Sequence, residues 1–288
     1  MSENHIDELS GVATTGHEWD GIRELNNPLP RWWLWTFYAT ILFAIGYCIA
    51  YPAWPLISSS TTGMLGWSSR AAVGEEMKAA DAARAAYSAE IAARPVDEIL
   101  ADEGLRTVAV SAGSAAFKVN CVQCHGSGAE GSKGFPNLND DDWLWGGKAE
   151  EIRQTIAHGI RFAQDAETRD SVMPAFADML KGEEIRQVAT FVKSLSGTVA
   201  NAASVAPGKD LFAANCAACH GEDGKGSREF GAPDLTDAIW LYGSSEAEIA
   251  AQIRAPHMGV MPAWQERLGE TTVKELAVFV HSLGGGER

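Results

Sequence analysis

One five-residue pattern constrains this chain of 288 residues more than any other: two cysteines separated by two residues and followed at once by a histidine. It occurs as "CVQCH" from Cys121 and again as "CAACH" from Cys216. Both copies lie in the same longer context, since "FKVNCVQCHGSGAEG" matches "FAANCAACHGEDGKG", and "VMPAF" further along matches "VMPAW". The chain is therefore predicted to contain two homologous domains that bind the same group.

The pentad alone is compatible with several chemistries. A redox dithiol needs a strand–helix context, which is absent here. A four-cysteine zinc site needs its two pairs close together, whereas 91 residues separate Cys124 from Cys216. Two thiols on one helical turn can instead add to the vinyl groups of a haem, and the following histidine then lies under the iron. The sequence thus predicts two covalently bound c-type haems, attached through Cys121, Cys124, Cys216 and Cys219, with His125 and His220 as fifth ligands.

The methionine in each "VMPA" segment is the candidate sixth ligand. Met173 follows the first pentad and Met261 the second, each between two helical stretches, and a thioether is a soft donor that favours Fe(II). Ligation within each domain is the simpler arrangement, and exchange of the methionines between domains stays open. His158 and His257 are rival ligands by position, but they do not align with each other.

The surroundings of each haem can also be predicted. An axial imidazole should donate its second N–H to a fixed acceptor, and the backbone carbonyls of Pro136 and Pro233 lie in matching loops after the two pentads. Trp143 and Trp240, also at matching positions, are candidate walls of the haem pockets, with plain core packing as the alternative.

A membrane helix is predicted near the N-terminus. Residues 32–51 form a largely apolar stretch of 20 residues with aromatic residues at both ends, which spans about 30 Å as a helix. A cleaved signal peptide, the competing interpretation, would begin with basic residues, whereas residues 1–31 are acidic. Because Arg23 and Arg31 precede the span, the N-terminus is expected in the cytoplasm and the rest of the chain outside it.

The resulting fold class is all-α: one N-terminal transmembrane helix and two tandem class I cytochrome c-like domains. The predicted parts are a cytoplasmic segment at 1–31, the transmembrane helix at 32–55, a linker with a docking helix at 56–107, and cytochrome domains at 108–199 and 203–286. Within the linker, residues 74–94 have helical composition and end before Pro95. The net charge of −15 disfavours nucleic acid and favours basic protein partners.

In this order of anchor, Ala-rich linker and two domains with "CVQCH…VMPAF" and "CAACH…VMPAW", the chain resembles the dihaem subunit (CcoP or FixP) of cbb3-type cytochrome c oxidases. The resemblance implies a bacterial inner-membrane complex that reduces O₂ and pumps protons, with haem domains in the periplasm. It also implies that catalysis lies in a separate haem-copper subunit. This chain would relay electrons from a soluble c-type cytochrome, beside a monohaem c subunit, toward that core. The four cysteines and His125, Met173, His220 and Met261 carry over as haem-binding residues.

Two other functions use the same chemistry. A free-standing, membrane-anchored electron shuttle of the cytochrome c4 type needs no oxidase. A dihaem peroxidase needs one iron with an exchangeable ligand, whereas both domains here offer a methionine.

Overall fold

The computed structural model describes residues 5–287 and separates into two compact units, one ending at Ala83 and the other beginning at Arg84. The first unit opens with a hairpin of strands β1 (Thr14–Trp19) and β2 (Ile22–Leu25), which pair antiparallel. Asp20 and Gly21 join them with φ of 51° and 87°, the conformation that an Asp-Gly hairpin turn requires. The all-helical prediction omitted this small sheet.

Helix α1 (Arg31–Ala50) is the one helix among residues 5–287 that is long and apolar enough to cross a membrane. None of its residues is buried within the protein. The hydroxyls of Thr36 and Thr40 donate to carbonyls of the preceding turn, Trp32 O at 2.9 Å and Phe37 O at 2.7 Å, and so need no water. The length and apolar composition of this helix agree with the membrane-spanning helix that the sequence predicts.

Helix α2 (Ser69–Ala93) follows and covers most of the stretch at 74–94 whose composition predicts a helix. Ile91 is its one buried residue. Pro95 then separates it from the short α3 (Val96–Ala101), whose Val96 and Ile99 are buried in the same cluster as Ile91.

The remaining structure is helices joined by irregular loops. They are α4 (Glu103–Asn120), α5 (Val122–His125), α6 (Ala149–His158), α7 (Gly182–Ser196), a 3-10 turn (Ala202–Ser204), α8 (Val205–Asn215), α9 (Ala217–His220), α10 (Glu246–Arg254) and α11 (Gln265–His281). These helices bury two separate hydrophobic clusters.

The first cluster joins the start of the first repeat to the end of the second. Helix α4 packs against α11 so closely that a Cβ at Gly113 would collide with the carbonyl of Glu275. Four residues further along α4, the ring of Phe117 lies 5.3 Å from that of Phe279. Helices α3 and α6 complete this cluster, which we call the first lobe.

The second cluster has the same geometry, but here the helix before the pentad comes from the second repeat and its partner helix from the first. Helix α8 packs against α7, where a Cβ at Gly208 would collide with the carbonyl of Gln187, and the rings of Phe212 and Phe191 are 5.2 Å apart. Helix α10 completes this cluster, which we call the second lobe. The repeats at 108–199 and 203–286 are therefore units of sequence similarity, while each unit of packing combines helices from both.

Candidate haem-binding sites

Each CxxCH pentad forms one tight helical turn at the end of a longer helix. Helix α4 continues through Cys121, whose N–H donates to Phe117 O at 2.8 Å, and the N–H groups of Cys124 and His125 then donate to Cys121 O. The second pentad has the same bonds, with Cys216 N to Phe212 O also at 2.8 Å. No disulfide joins any two of the five cysteines, so neither pentad is a disulfide.

The two histidines are oriented in the same way. Nδ1 of His125 lies 3.0 Å from Pro136 O, and Nδ1 of His220 lies 3.4 Å from Pro233 O. Because a carbonyl can only accept, Nδ1 is the protonated nitrogen and Nε2 keeps its lone pair for a metal. Burial lowers the pKa of both imidazoles, against the opposing effect of these hydrogen bonds, and favours the neutral form that binds iron.

Two glycines that the sequence analysis did not single out make these contacts possible. Gly131 and Gly226 have φ of 68° and 77°, and their N–H groups donate to His125 O at 2.7 Å and His220 O at 2.8 Å. A Cβ would lie 2.6 Å from the Pro136 carbonyl carbon in one loop and 2.6 Å from that of Pro233 in the other. Their equal spacing, six residues after each histidine, was a readable signal.

The methionines enter the lobe of the opposite repeat. Met261 and Cys121 both pack against the buried residues of the first cluster, while Met173 and Cys216 both pack against those of the second. The backbone agrees: Trp264 N donates to Ile156 O at 3.1 Å. The equivalent bond in the other lobe joins Phe176 N to Ile253 O, also at 3.1 Å. Each "VMPA" segment is thus docked on a helix of the other repeat.

The tryptophans lie at equivalent places but have different partners. Trp143 packs against the first cluster and Trp240 against the second, both partly buried. Nε1 of Trp143 donates to Gly285 O at 2.7 Å, so its ring is fixed by the C-terminal residues. Trp145, which sequence reasoning passed over, is 7% exposed and lies against Gly231 of the other repeat.

The rival histidines are engaged elsewhere. Both ring nitrogens of His158 face carboxylates, Nδ1 that of Asp165 at 3.2 Å and Nε2 that of Glu167 at 3.3 Å. His257 contacts Gln252 through Nδ1 at 3.3 Å. Across residues 5–287, no group of three or more His, Cys, Asp or Glu side chains is arranged to hold a metal ion.

The donor set fits covalently bound haem. Each lobe offers two free thiols on one turn, an imidazole with a free Nε2 and a methionine in the same apolar cluster. Burial raises the pKa of the Cys121 and Cys216 thiols to about 11, which favours the thiol over the thiolate before haem is attached.

A membrane-length helix followed by two such lobes defines a class: anchored c-type cytochromes. Three family models match successive parts of the chain. They are the N-terminal domain of cytochrome oxidase-cbb3, FixP, at residues 11–58, cytochrome c at 110–196, and cytochrome c oxidase, cbb3-type, subunit III, at 203–280.

Relatives match nearly end to end. The cbb3-type cytochrome c oxidase subunit FixP of Sinorhizobium medicae is 63% identical, and that of Rhizobium meliloti 62%, each covering 98% of both chains. The subunit CcoP of Cereibacter sphaeroides is 54% identical over 95% of both. The chain belongs to the FixP/CcoP family of cbb3-type cytochrome c oxidase subunits. The family recognised from the sequence and the fold class of one apolar helix with two cytochrome c domains are thereby confirmed.

Proposed function

We propose that this chain relays electrons one at a time, through two covalently bound c-type haems, to the catalytic core of a cbb3-type oxidase. It is an electron-transfer subunit of the complex and not its catalyst. The observation that carries the proposal is the meeting, in each lobe, of a CxxCH turn and a methionine in one apolar cluster. Bound haem supplies one-electron Fe(III)/Fe(II) chemistry.

The residues of the two sites are assigned across the repeats. In the first lobe, Cys121 and Cys124 would bind haem covalently, and His125 and Met261 would be the ligands of its iron. In the second lobe, the corresponding residues are Cys216, Cys219, His220 and Met173. The support for this pairing is the packing of Met261 and Met173 in opposite lobes.

The protein groups around each iron favour transfer over ligand chemistry. If an imidazole and a thioether both ligate each iron, neither site would keep a position for oxygen or peroxide, which argues against the peroxidase alternative. The carbonyls of Pro136 and Pro233 fix the imidazole rings, so little reorganisation accompanies a change of iron charge. Trp143 and Trp240 exclude water from the pockets.

The partners follow from charge and exposure. The net charge of −15 attracts a basic, soluble c-type cytochrome as donor. Val172 and Val260, which precede the two methionines, are 58% and 59% exposed and offer such a donor an apolar contact. Helix α1 contacts lipid of the bacterial inner membrane, with the N-terminus cytoplasmic and the lobes periplasmic. The exposed α2 docks on the haem-copper subunit, beside the monohaem c subunit.

The test uses the complex extracted from its native membranes in mild detergent. We expect two covalently bound haems per chain by pyridine haemochrome assay, co-purification with a haem-copper subunit, and rapid reduction by a soluble cytochrome. A Cys216→Ala/Cys219→Ala variant should retain one haem and lose oxidase turnover with that donor. Isolation of the chain without any oxidase core, with unchanged electron transfer, would favour the free shuttle and contradict the proposal.

A further inference from the structure

The segment between α6 and Met173 differs between the two repeats. Ile156 precedes Met173 by 17 residues, whereas the equivalent Ile253 precedes Met261 by only 8. The extra residues of the first repeat include Arg161, which has no counterpart in the second. Its neighbour Ile160 exchanges backbone hydrogen bonds with Met261, at 2.9 and 3.0 Å. Arg161 therefore stands directly beside a proposed ligand segment.

The guanidinium of Arg161 contacts both methionine segments. Its Nε donates to Gly259 O at 2.8 Å, and its Nη1 donates to Ser171 O at 3.0 Å. Gly259 lies two residues before Met261, and Ser171 lies two residues before Met173. One planar side chain thus binds the two segments at equivalent positions. A guanidinium has several N–H donors in a fixed plane and can reach both carbonyls, whereas the compact ammonium of a lysine cannot reproduce this geometry.

The backbone of Arg161 adopts a strained conformation. Its φ is 52°, in the left-handed region, which is unfavourable for a residue other than glycine. The conformation is held by Arg161 N donating to Arg169 O at 2.8 Å and by the paired Ile160 beside it. Strain of this kind persists where the surroundings fix it and it often marks a functional position. Burial lowers the pKa of the guanidinium, but an arginine stays charged at neutral pH.

We propose that Arg161 is a positioning residue that braces both methionine segments at once, so that ligation of the two irons depends on one side chain. This inference rests on the proposed function, in which Met173 and Met261 are axial ligands. It predicts that loss of Arg161 weakens methionine ligation at both sites together, although the residue belongs to only one repeat.

The test reads each site separately. In the ferric protein, methionine ligation gives a weak sulfur-to-iron charge-transfer band in the red. Met173→His and Met261→His should each abolish the contribution of one site to the absorbance of this band. Arg161→Asn is then introduced into both backgrounds, because asparagine tolerates the left-handed backbone but is too short to span the two carbonyls. Arg186→Asn, which changes an exposed arginine of α7, is the control.

In each background, one haem keeps its methionine ligand. We expect Arg161→Asn to weaken the charge-transfer band of that haem and to lower its reduction potential in both backgrounds. Arg186→Asn should leave the band and the potential unchanged. Loss in one background only, or in neither, overturns the proposal. Arg161→Lys separates geometry from charge: a full wild-type band and potentials at both sites would show that the charge alone matters and would also overturn it. If Arg161→Asn fails to load haem, Arg161→Lys decides, since a partial loss at both sites is then required. A wild-type protein without the band would instead contradict the ligand assignment of the proposed function.

Discussion

Met261 and Ile160 pair as two residues of an antiparallel bridge, in which each backbone N–H donates to the other's carbonyl, at 3.0 and 2.9 Å. Met261 belongs to the second repeat and Ile160 to the first. The bridge closes the first lobe with a distant segment of the chain: Met261 lies 136 residues after His125, yet it packs against the same buried cluster as Cys121.

The second lobe is built differently along the chain. Its methionine, Met173, and helix α7 precede its pentad, so a continuous stretch supplies its ligands and its helices. Both lobes nevertheless combine elements of the two repeats, since α4 packs on α11 and α8 packs on α7. This exchange of helices between the repeats makes them interdependent, because neither repeat contains the full set of helices of a lobe.

The exchange predicts which haem each methionine controls. In a chain that retains only the first pentad, made by Cys216→Ala/Cys219→Ala, Met261→His should lower the potential of the remaining haem. The expected shift is on the order of 0.1–0.3 V, because imidazole stabilises Fe(III) more than thioether does. Met173→His in the same chain is the matched control and should leave that potential almost unchanged. A shift with Met173→His and none with Met261→His would show ligation within each repeat. Spectroelectrochemical titration gives both values.

Local motifs identify the candidate haem-binding residues, but they do not determine which methionine pairs with which histidine. The cysteines, histidines and proline carbonyls lie close together along the chain in each repeat, so spacing alone constrains them. Met173 and Met261 stand in nearly identical "VMPA" segments, and only the packing of α7 and α11 on opposite lobes distinguishes their destinations. Gly131 and Gly226 were missed because their role depends on a close approach of two loops, although their repetition was visible.

Gly131 and Gly226 are expected to control the histidine environment. Alanine at either position introduces a Cβ against a neighbouring backbone as well as a left-handed strain of about 1–2 kcal/mol. The displaced loop should weaken the hydrogen bond from Nδ1 to the proline carbonyl, make the imidazole a poorer donor, and raise the potential of the haem concerned.

Gly269→Ala separates strain from collision. Gly269 also has a positive φ, 78°, but a Cβ there would meet no atom within 4 Å. We expect Gly269→Ala to lower the thermal midpoint without moving either potential, while Gly131→Ala and Gly226→Ala change both properties. Unchanged potentials in all three variants would show that Gly131 and Gly226 do not influence the axial histidines.

Lys274 is expected to stabilise the first lobe through a buried hydrogen bond. Its side chain is 9% exposed, and its Nζ lies 2.7 Å from Ala92 O in the last turn of α2 and 2.9 Å from Glu270. Lys274→Met keeps the length of the side chain but leaves that carbonyl without its donor, so the free energy of unfolding should fall by about 1–3 kcal/mol. Lys78→Met, at a side chain that is 76% exposed, should change it by less than about 0.5 kcal/mol. Denaturant unfolding of the haem-loaded protein measures both, and equal effects would contradict the role of the buried bond.

The two repeats also bring carboxylates together, and this predicts a pH dependence of stability. Burial, followed by repulsion from Asp237 and Asp140, raises the pKa of Asp142 to about 6. A carboxyl whose pKa is raised on folding binds its proton more tightly in the native state, so the contribution of Asp142 to stability falls as the pH rises from about 4 to about 6 and stays unfavourable above it. Asp142→Asn should therefore stabilise the protein by about 1 kcal/mol at pH 7.5, after allowance for solvent screening, and have little effect near pH 4. Asp178→Asn, which removes an exposed carboxylate, is the matched control for the loss of one negative charge. Thermal midpoints of the haem-loaded variants at both pH values decide the matter: if Asp142→Asn gains no stability at pH 7.5, the mutual repulsion of these carboxylates is relieved in solution.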